Sequence, residues 1–275
     1  MSTIESPSQD AAPPVAFTTA AGRRIEYQLL NVEKTDRPWI VLLHEGLGSL
    51  AMWKDFPQAL CDACNARGLV YSRYGYGRSQ PLPADARPNQ RSVDFMHREA
   101  IDALPELLAK LSIERPILFG HSDGGSISLI YAATYPDQVA GIIVLAPHVM
   151  VEDISMKSID AAREIYETTD MRAKLGRYHA DPDSAFWGWN DIWLNLTFRD
   201  WNIEDLLPLI QCPVLAIQGE DDEYGTMAQI DAIGRDVAGA RLLKLSRCRH
   251  SPHKDQPQVV IDAVRAFVDT LPEAE

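Results

Sequence analysis

The sequence predicts an α/β protein built on a mostly parallel, doubly wound sheet with a helical insertion. Three observations predict it. Five short apolar runs lack polar alternation, as strands do when a parallel sheet is covered on both faces. Helical patterns alternate with those runs. One long stretch, 148–207, interrupts the alternation with helix-like sequence and no clear strand.

The chain opens on a polar segment, 1–14, rich in Ser, Pro and acid. It lacks the basic-then-apolar pattern of a signal peptide and reads as a disordered lead-in to a cytoplasmic protein. Runs at 16–19 and 24–30, joined at Ala21-Gly22, read as an antiparallel hairpin. The five buried strands are expected at 39–43, 69–71, 116–119, 141–145 and 214–218. Between them, 98–111 places Ile101, Leu104, Leu107, Leu108 and Leu111 at the spacing of one helix face. Segments 126–134 and 259–270 read likewise. Cys61 and Cys64 form a C-x-x-C inside a helix-like stretch, 56–67. With no second pair and no nearby His, they read as buried helix cysteines rather than a redox or zinc pair. The insertion 148–207 carries Trp187, Trp189, Trp193 and Trp201 and reads as a cap or lid. That leaves 15–147 and 208–275 as the core.

No run approaches the roughly 18 apolar residues that span a bilayer. The 275 residues carry 26 basic and 39 acidic side chains, a net charge of −13. Nucleic acid and anionic membranes would be repelled, so neither is an expected partner; a small molecule is. No spacing of His, Asp and Cys suits a metal, and no cofactor is expected. Oligomeric state is open.

The chemistry centres on Gly120-His121-Ser122-Asp123-Gly124, a G-x-S-x-G between an apolar strand and a helical run. A nucleophile on a sharp strand-to-helix turn needs small neighbours, and the helix N-terminus favours the anion formed on attack. Leu42-Leu43-His44-Glu45-Gly46-Leu47-Gly48-Ser49 follows the first parallel strand. Gly75-Tyr76-Gly77-Arg78-Ser79 follows Ser72-Arg73-Tyr74, and two acid and base candidate groups lie near the end, at 219–223 and 248–253.

With these motifs in this order the chain resembles the α/β-hydrolase fold superfamily, in its serine-nucleophile branch. The resemblance runs from about 16 to 271. It implies Ser122 as nucleophile, with the N–H groups of Gly46 and Asp123 as the oxyanion hole. Its G-x-x-D pattern selects Asp222 rather than Asp221 as the acid, and its C-G-H ending selects His250 rather than His253 as the base. The chain departs from the family at Glu45, where Gly is usual, at Arg249 within the C-G-H, and at Ser72 and Tyr74 within a D-x-R-G-x-G-x-S turn. Glu45 is expected to point away from the oxyanion hole, with substrate handling as the alternative. His44 and His121 read as supporting groups, and His97 and His179 as structural or surface residues.

Candidates for the substrate pocket are Glu45, Trp53, Tyr74, His148, Trp187, Trp189, Asn190 and Trp193, whose aromatic weight suits a partly apolar acyl group. Arg177 reads as a solvated helix arginine. The expected reaction is hydrolysis of a small carboxylic ester, or of a thioester, lactone or activated amide, through an acyl-enzyme. Hydrolysis of a C–C bond in ring-cleavage products is the second reading. An iminopeptidase would call on Glu152 or Asp153 to hold an amine. The rival from another class is a ligand-binding protein with slow turnover.

Overall fold

A computed structural model describes residues 13–88 and 90–272. Of the expected lead-in at 1–14, residues 1–12 lie outside the described residues. Eight strands form one sheet: β1 (Val15–Ala20), β2 (Arg23–Leu30), β3 (Trp39–Leu43), β4 (Arg67–Ser72), β5 (Ile117–His121), β6 (Gly141–Leu145), β7 (Val214–Gly219) and β8 (Arg241–Leu245). Their order across the sheet is β1-β2-β4-β3-β5-β6-β7-β8. β1 and β2 form the expected hairpin, turning through Ala21 and Gly22 at φ 47° and 70°. Two positive φ values match the turn to the right-handed twist of the strands. β2 pairs antiparallel with β4, and every other pairing is parallel.

Alternate residues of each central strand enter different cores. Val41, Leu43, Leu118, Val144 and Ala216 face one side. Ile40, Leu42, Phe119, Leu145 and Ile217 face the other. Both faces are covered, so these positions are apolar on either side of the sheet. Among the described residues there are ten α-helices: α1 (Phe56–Ala63), α2 (Phe95–Arg98), α3 (Leu104–Lys110), α4 (Asp123–Thr134), α5 (Asp153–Thr168), α6 (Met171–Leu175), α7 (Pro182–Trp193), α8 (Ala228–Asp236), α9 (Pro252–Asp255) and α10 (Pro257–Val268). α1 and α10 cover the second face, through residues such as Leu60, Val260 and Val264. α3, α4 and α8 cover the first.

Two local expectations are corrected. The helix at 98–111 buries Leu104, Leu107 and Leu108, but Ile101 is 39% exposed. A π-helical turn at Glu99–Ala103 widens the helix there, shifting the face by about one residue and turning Ala100 and Ala103 inward instead. The helix holding the C-x-x-C stops at Ala63, four residues early, because Asn65 takes φ 48° and Arg67 opens β4. Cys61 and Cys64 are both free and buried, and burial pushes both thiols up. The insertion is not entirely without β pairing: Met150 bridges Asn202 antiparallel, and Ile203 N–H donates to the Val149 carbonyl at 2.8 Å.

Those contacts draw together the two legs on which α5, α6 and α7 stand. Above them, Tyr166 of α5 stacks on Phe186 of α7 at 3.8 Å. No described helix is long and apolar enough to cross a membrane. The parallel registers, Leu43 opposite Gly120, His121 opposite Leu145 and Gly219 opposite Leu245, bring the C-terminal ends of β3, β5, β6, β7 and β8 to one edge. In open α/β sheets that edge is where ligands bind.

Candidate active site

Ser122 stands where β5 turns into α4, at φ 53° and ψ −119°. A left-handed backbone costs a non-glycine residue of order 1–3 kcal/mol, and such strain clusters at functional sites. The turn is tight because its glycines allow backbones to meet. A Cβ on Gly120 would lie 2.2 Å from the Gly124 carbonyl oxygen, and one on Gly124 would lie 2.1 Å from that of Leu43. Helix α4 starts at Asp123, immediately after the serine and three residues earlier than its apolar pattern begins.

The loops after β7 and β8 supply the partners. His250 Nε2 lies 2.9 Å from Ser122 Oγ, and His250 Nδ1 lies 2.8 Å from Asp222 Oδ1. The Asp222 carboxylate also accepts from the N–H of Tyr224 at 2.8 Å and from Gln218 Nε2 at 3.2 Å. Burial pushes its pKa up, but the His250 contact and the Tyr224 N–H outweigh burial and hold it below the usual carboxylate range. Asp221 is exposed. His253 is buried away from Ser122, its ring 4.8 Å from Trp53 and 4.8 Å from His121.

The loop after β3 is aimed from below. The Glu45 carbonyl lies 2.7 Å from His44 Nδ1 and accepts from an Arg73 NH2 group at 2.9 Å and from Gly48 N–H at 3.0 Å. A trans peptide points its C=O and N–H in opposite directions. Held this way, the same peptide turns the Gly46 N–H away from Arg73. Among the described residues neither the Gly46 nor the Asp123 N–H has a backbone acceptor. His44 Nε2 accepts from Arg73 N–H at 3.0 Å, which assigns the neutral tautomer with the proton on Nδ1. Burial, then Arg73, hold this histidine well below its ordinary pKa. Arg73 is 1% exposed and reaches Asp123 Oδ2 at 3.5 Å. The tight-loop motif that contains Arg73 reads from sequence as structural. A cation in a run that is otherwise strand-like was the available signal of its place at the site.

The alpha/beta hydrolase fold model matches residues 38–165. The chain has the α/β-hydrolase fold. Among its relatives, the serine hydrolase BPHL of Mus musculus is 30% identical over 199 residues, 67% of this chain. The chain spans 63% of the length of that protein and of its Homo sapiens counterpart. A proline iminopeptidase of Saccharolobus solfataricus is 24% identical over 91% of this chain and 90% of its own. The enol-lactonase from Burkholderia xenovorans LB400 superposes with a TM-score of 0.72 at 19% identity, covering 92% of this chain and 100% of that one.

The aromatic candidates divide. Trp189 lies on the loop after β3: a Cβ on Gly46 would sit 2.3 Å from its indole ring. Trp193 Nε1 donates to Asp123 Oδ1 at 3.3 Å. His148 is buried with its ring 4.9 Å from Trp193 and 5.8 Å from His250. Burial, then His250, lower its pKa to about 3, and its Nδ1 has no partner among the described residues. Tyr224, which the sequence did not single out, packs 4.7 Å from the His250 ring. The other candidates are elsewhere. Trp53 belongs to the α1 and α10 face and lines a separate cleft of about 410 Å³ with Phe56 and His253. Tyr74 lies under the Arg23 guanidinium at 4.9 Å, and Trp187 under that of Arg87 at 3.6 Å. Asn190 donates to the Ile159 carbonyl inside the insertion at 2.8 Å, and Arg177 is exposed. Glu45 turns its carboxylate toward His121, 3.4 Å away.

Proposed function

We propose that the chain is a serine hydrolase that cleaves a small carboxylic ester, or a related acyl compound, through an acyl-enzyme. One observation carries the reading: the unbroken contact from Asp222 to His250 at 2.8 Å and from His250 to Ser122 at 2.9 Å, on a strained strand-to-helix turn. His250 takes the Ser122 proton as Oγ attacks the substrate carbonyl. Asp222 keeps the imidazole in the required tautomer and stabilises its cation. The N–H groups of Gly46 and Asp123 receive the oxyanion; a donor of this kind is worth about 3 kcal/mol of barrier. His250 then protonates the leaving group, and water attacks the acyl-enzyme by the same route.

Trp189, Trp193, Tyr224 and neutral His148 around Ser122 favour an apolar or aromatic group next to the scissile carbonyl. An iminopeptidase reading has less support. The Glu152 carboxylate is taken up by Thr226 and Gln229, and Asp153 pairs with Arg199 at the surface.

The test is labelling with a fluorophosphonate beside turnover of short p-nitrophenyl esters, with Ser122→Ala in parallel. Covalent labelling and steady turnover are expected in the parent protein and absent in the variant. Labelling followed by one slow turnover would make the chain a ligand-binding protein. Folded parent protein that stays unlabelled would overturn the nucleophile assignment.

A further inference from the structure

We infer that Glu45 is a positioning residue whose carboxylate clasps together the three loops that carry Gly46, Ser122 and His250. The inference rests on the reading of Ser122 and His250 as nucleophile and base.

Glu45 occupies the loop after β3, one residue before Gly46. Its Oε2 is 3.4 Å from His121 Nδ1, a close contact outside hydrogen-bond geometry that is attractive with both ring nitrogens of His121 protonated, and its Oε1 is 3.3 Å from Lys254 Nζ. His121 is the residue before Ser122, and its Nε2 lies 2.7 Å from the backbone carbonyl oxygen of His250, where the N–H donates. A continuous path therefore runs from the oxyanion loop, through the strand end that carries the nucleophile, to the backbone of the base. Lys254, four residues beyond His250, closes the path from the other side. Gly48 makes room for it: a Cβ there would lie 2.4 Å from Glu45 Oε2.

The two arms of the clasp are unequal. Lys254 is 45% exposed, and such an ion pair contributes little on its own. The His121 side chain is 1% exposed. Its ring is wedged 5.3 Å from the His250 ring and 4.8 Å from that of His253. A tilt of His121 would thus be passed directly to the His250 carbonyl. The Glu45 group remains a carboxylate in this setting. Burial pushes it up, but the contact with His121 and the charge of Lys254 bring it well below its ordinary range.

The experiment compares Glu45→Gln, Glu45→Ala, His121→Gln, Lys254→Met and the double variant Glu45→Ala/His121→Gln. For each, kcat and KM are measured on a p-nitrophenyl ester, normalised to the fraction labelled by fluorophosphonate, and the thermal midpoint is recorded. Misplacing a base lowers kcat without weakening ground-state binding, so Glu45→Ala and His121→Gln should each lose roughly 10- to 100-fold in kcat. KM should stay within about twofold and Lys254→Met within about threefold of the parent. The double variant should be no worse than the worse single one, because both break the same path. Losses that multiply in the double variant, losses that fall on KM, or a Glu45→Ala kcat within about twofold of the parent would each overturn the clasp. The near-isosteric Glu45→Gln keeps the test open should His121→Gln fail to fold. A parent protein without labelling would instead signal failure of the nucleophile reading.

Discussion

At the residue scale, the loop 219–223 presents four adjacent carboxylates, and among them only Asp222 contacts the His250 ring. Asp222 is 8% exposed and bonded to His250, whereas Asp221 is exposed. Asp222→Asn should reduce kcat by roughly 10⁴-fold, the cost of a wrong histidine tautomer, and Asp221→Asn should leave it almost unchanged. Equal losses in steady-state assays would mean that Asp222 does not orient His250. The choice of Asp222 was legible as a family spacing. The groups that stabilise it were not: Gln218 sits on a buried strand, and Tyr224 N–H reaches back two residues through a turn. Neither geometry leaves a pattern in sequence.

At the element scale, α7 lies across the loop after β3. Trp189 and Trp193 are four residues apart and so share a helix face. Both reach the site, through Gly46 and Asp123 respectively. Trp187, two residues from Trp189, projects elsewhere and is covered by Arg87. The division was readable from helical period alone, but the direction of the helix relative to the sheet was not. Gly46→Ala should lower kcat by roughly 10²- to 10³-fold, because the new methyl group must displace either Trp189 or the N–H donor. Adding Trp189→Ala in the same chain should restore part of the loss. A double variant as slow as Gly46→Ala would show that Trp189 is not the obstacle. The insertion is also tied to the core by His179, which accepts from Gly77 N–H at 3.0 Å and lies 3.1 Å from the Leu47 carbonyl.

At the scale of the whole molecule, buried neutral histidines govern acid stability. Burial lowers His148 to about 3 and His179 to about 4. Both values lie below the unfolded value of about 6.5. The unfolded chain therefore binds more protons between those limits. The stability these groups provide is complete above pH 6.5 and is lost as pH falls toward 4. Each costs the fold about 2 kcal/mol at pH 5 relative to pH 7.5. Glu99, pushed up by burial, acts in the opposite sense and offsets part of this. Urea unfolding should give a clearly smaller free energy at pH 5 than at pH 7.5. Equal values would show that these rings already carry protons in the folded protein.

The sequence by itself determined the strand–helix alternation, the turn around Ser122 and the chain order of Ser122, Asp222 and His250. Each is written in local terms: apolar runs, small residues beside a serine, and short spacings after strand ends. Only the tertiary structure decided which groups meet across long separations. Arg73 lies beneath the loop after β3, Trp189 rests on Gly46, Trp53 belongs to the opposite face, and Glu45 reaches His121 and Lys254. Those contacts depend on strand order and helix direction, which bring distant segments to one sheet edge and are set by packing over the whole chain.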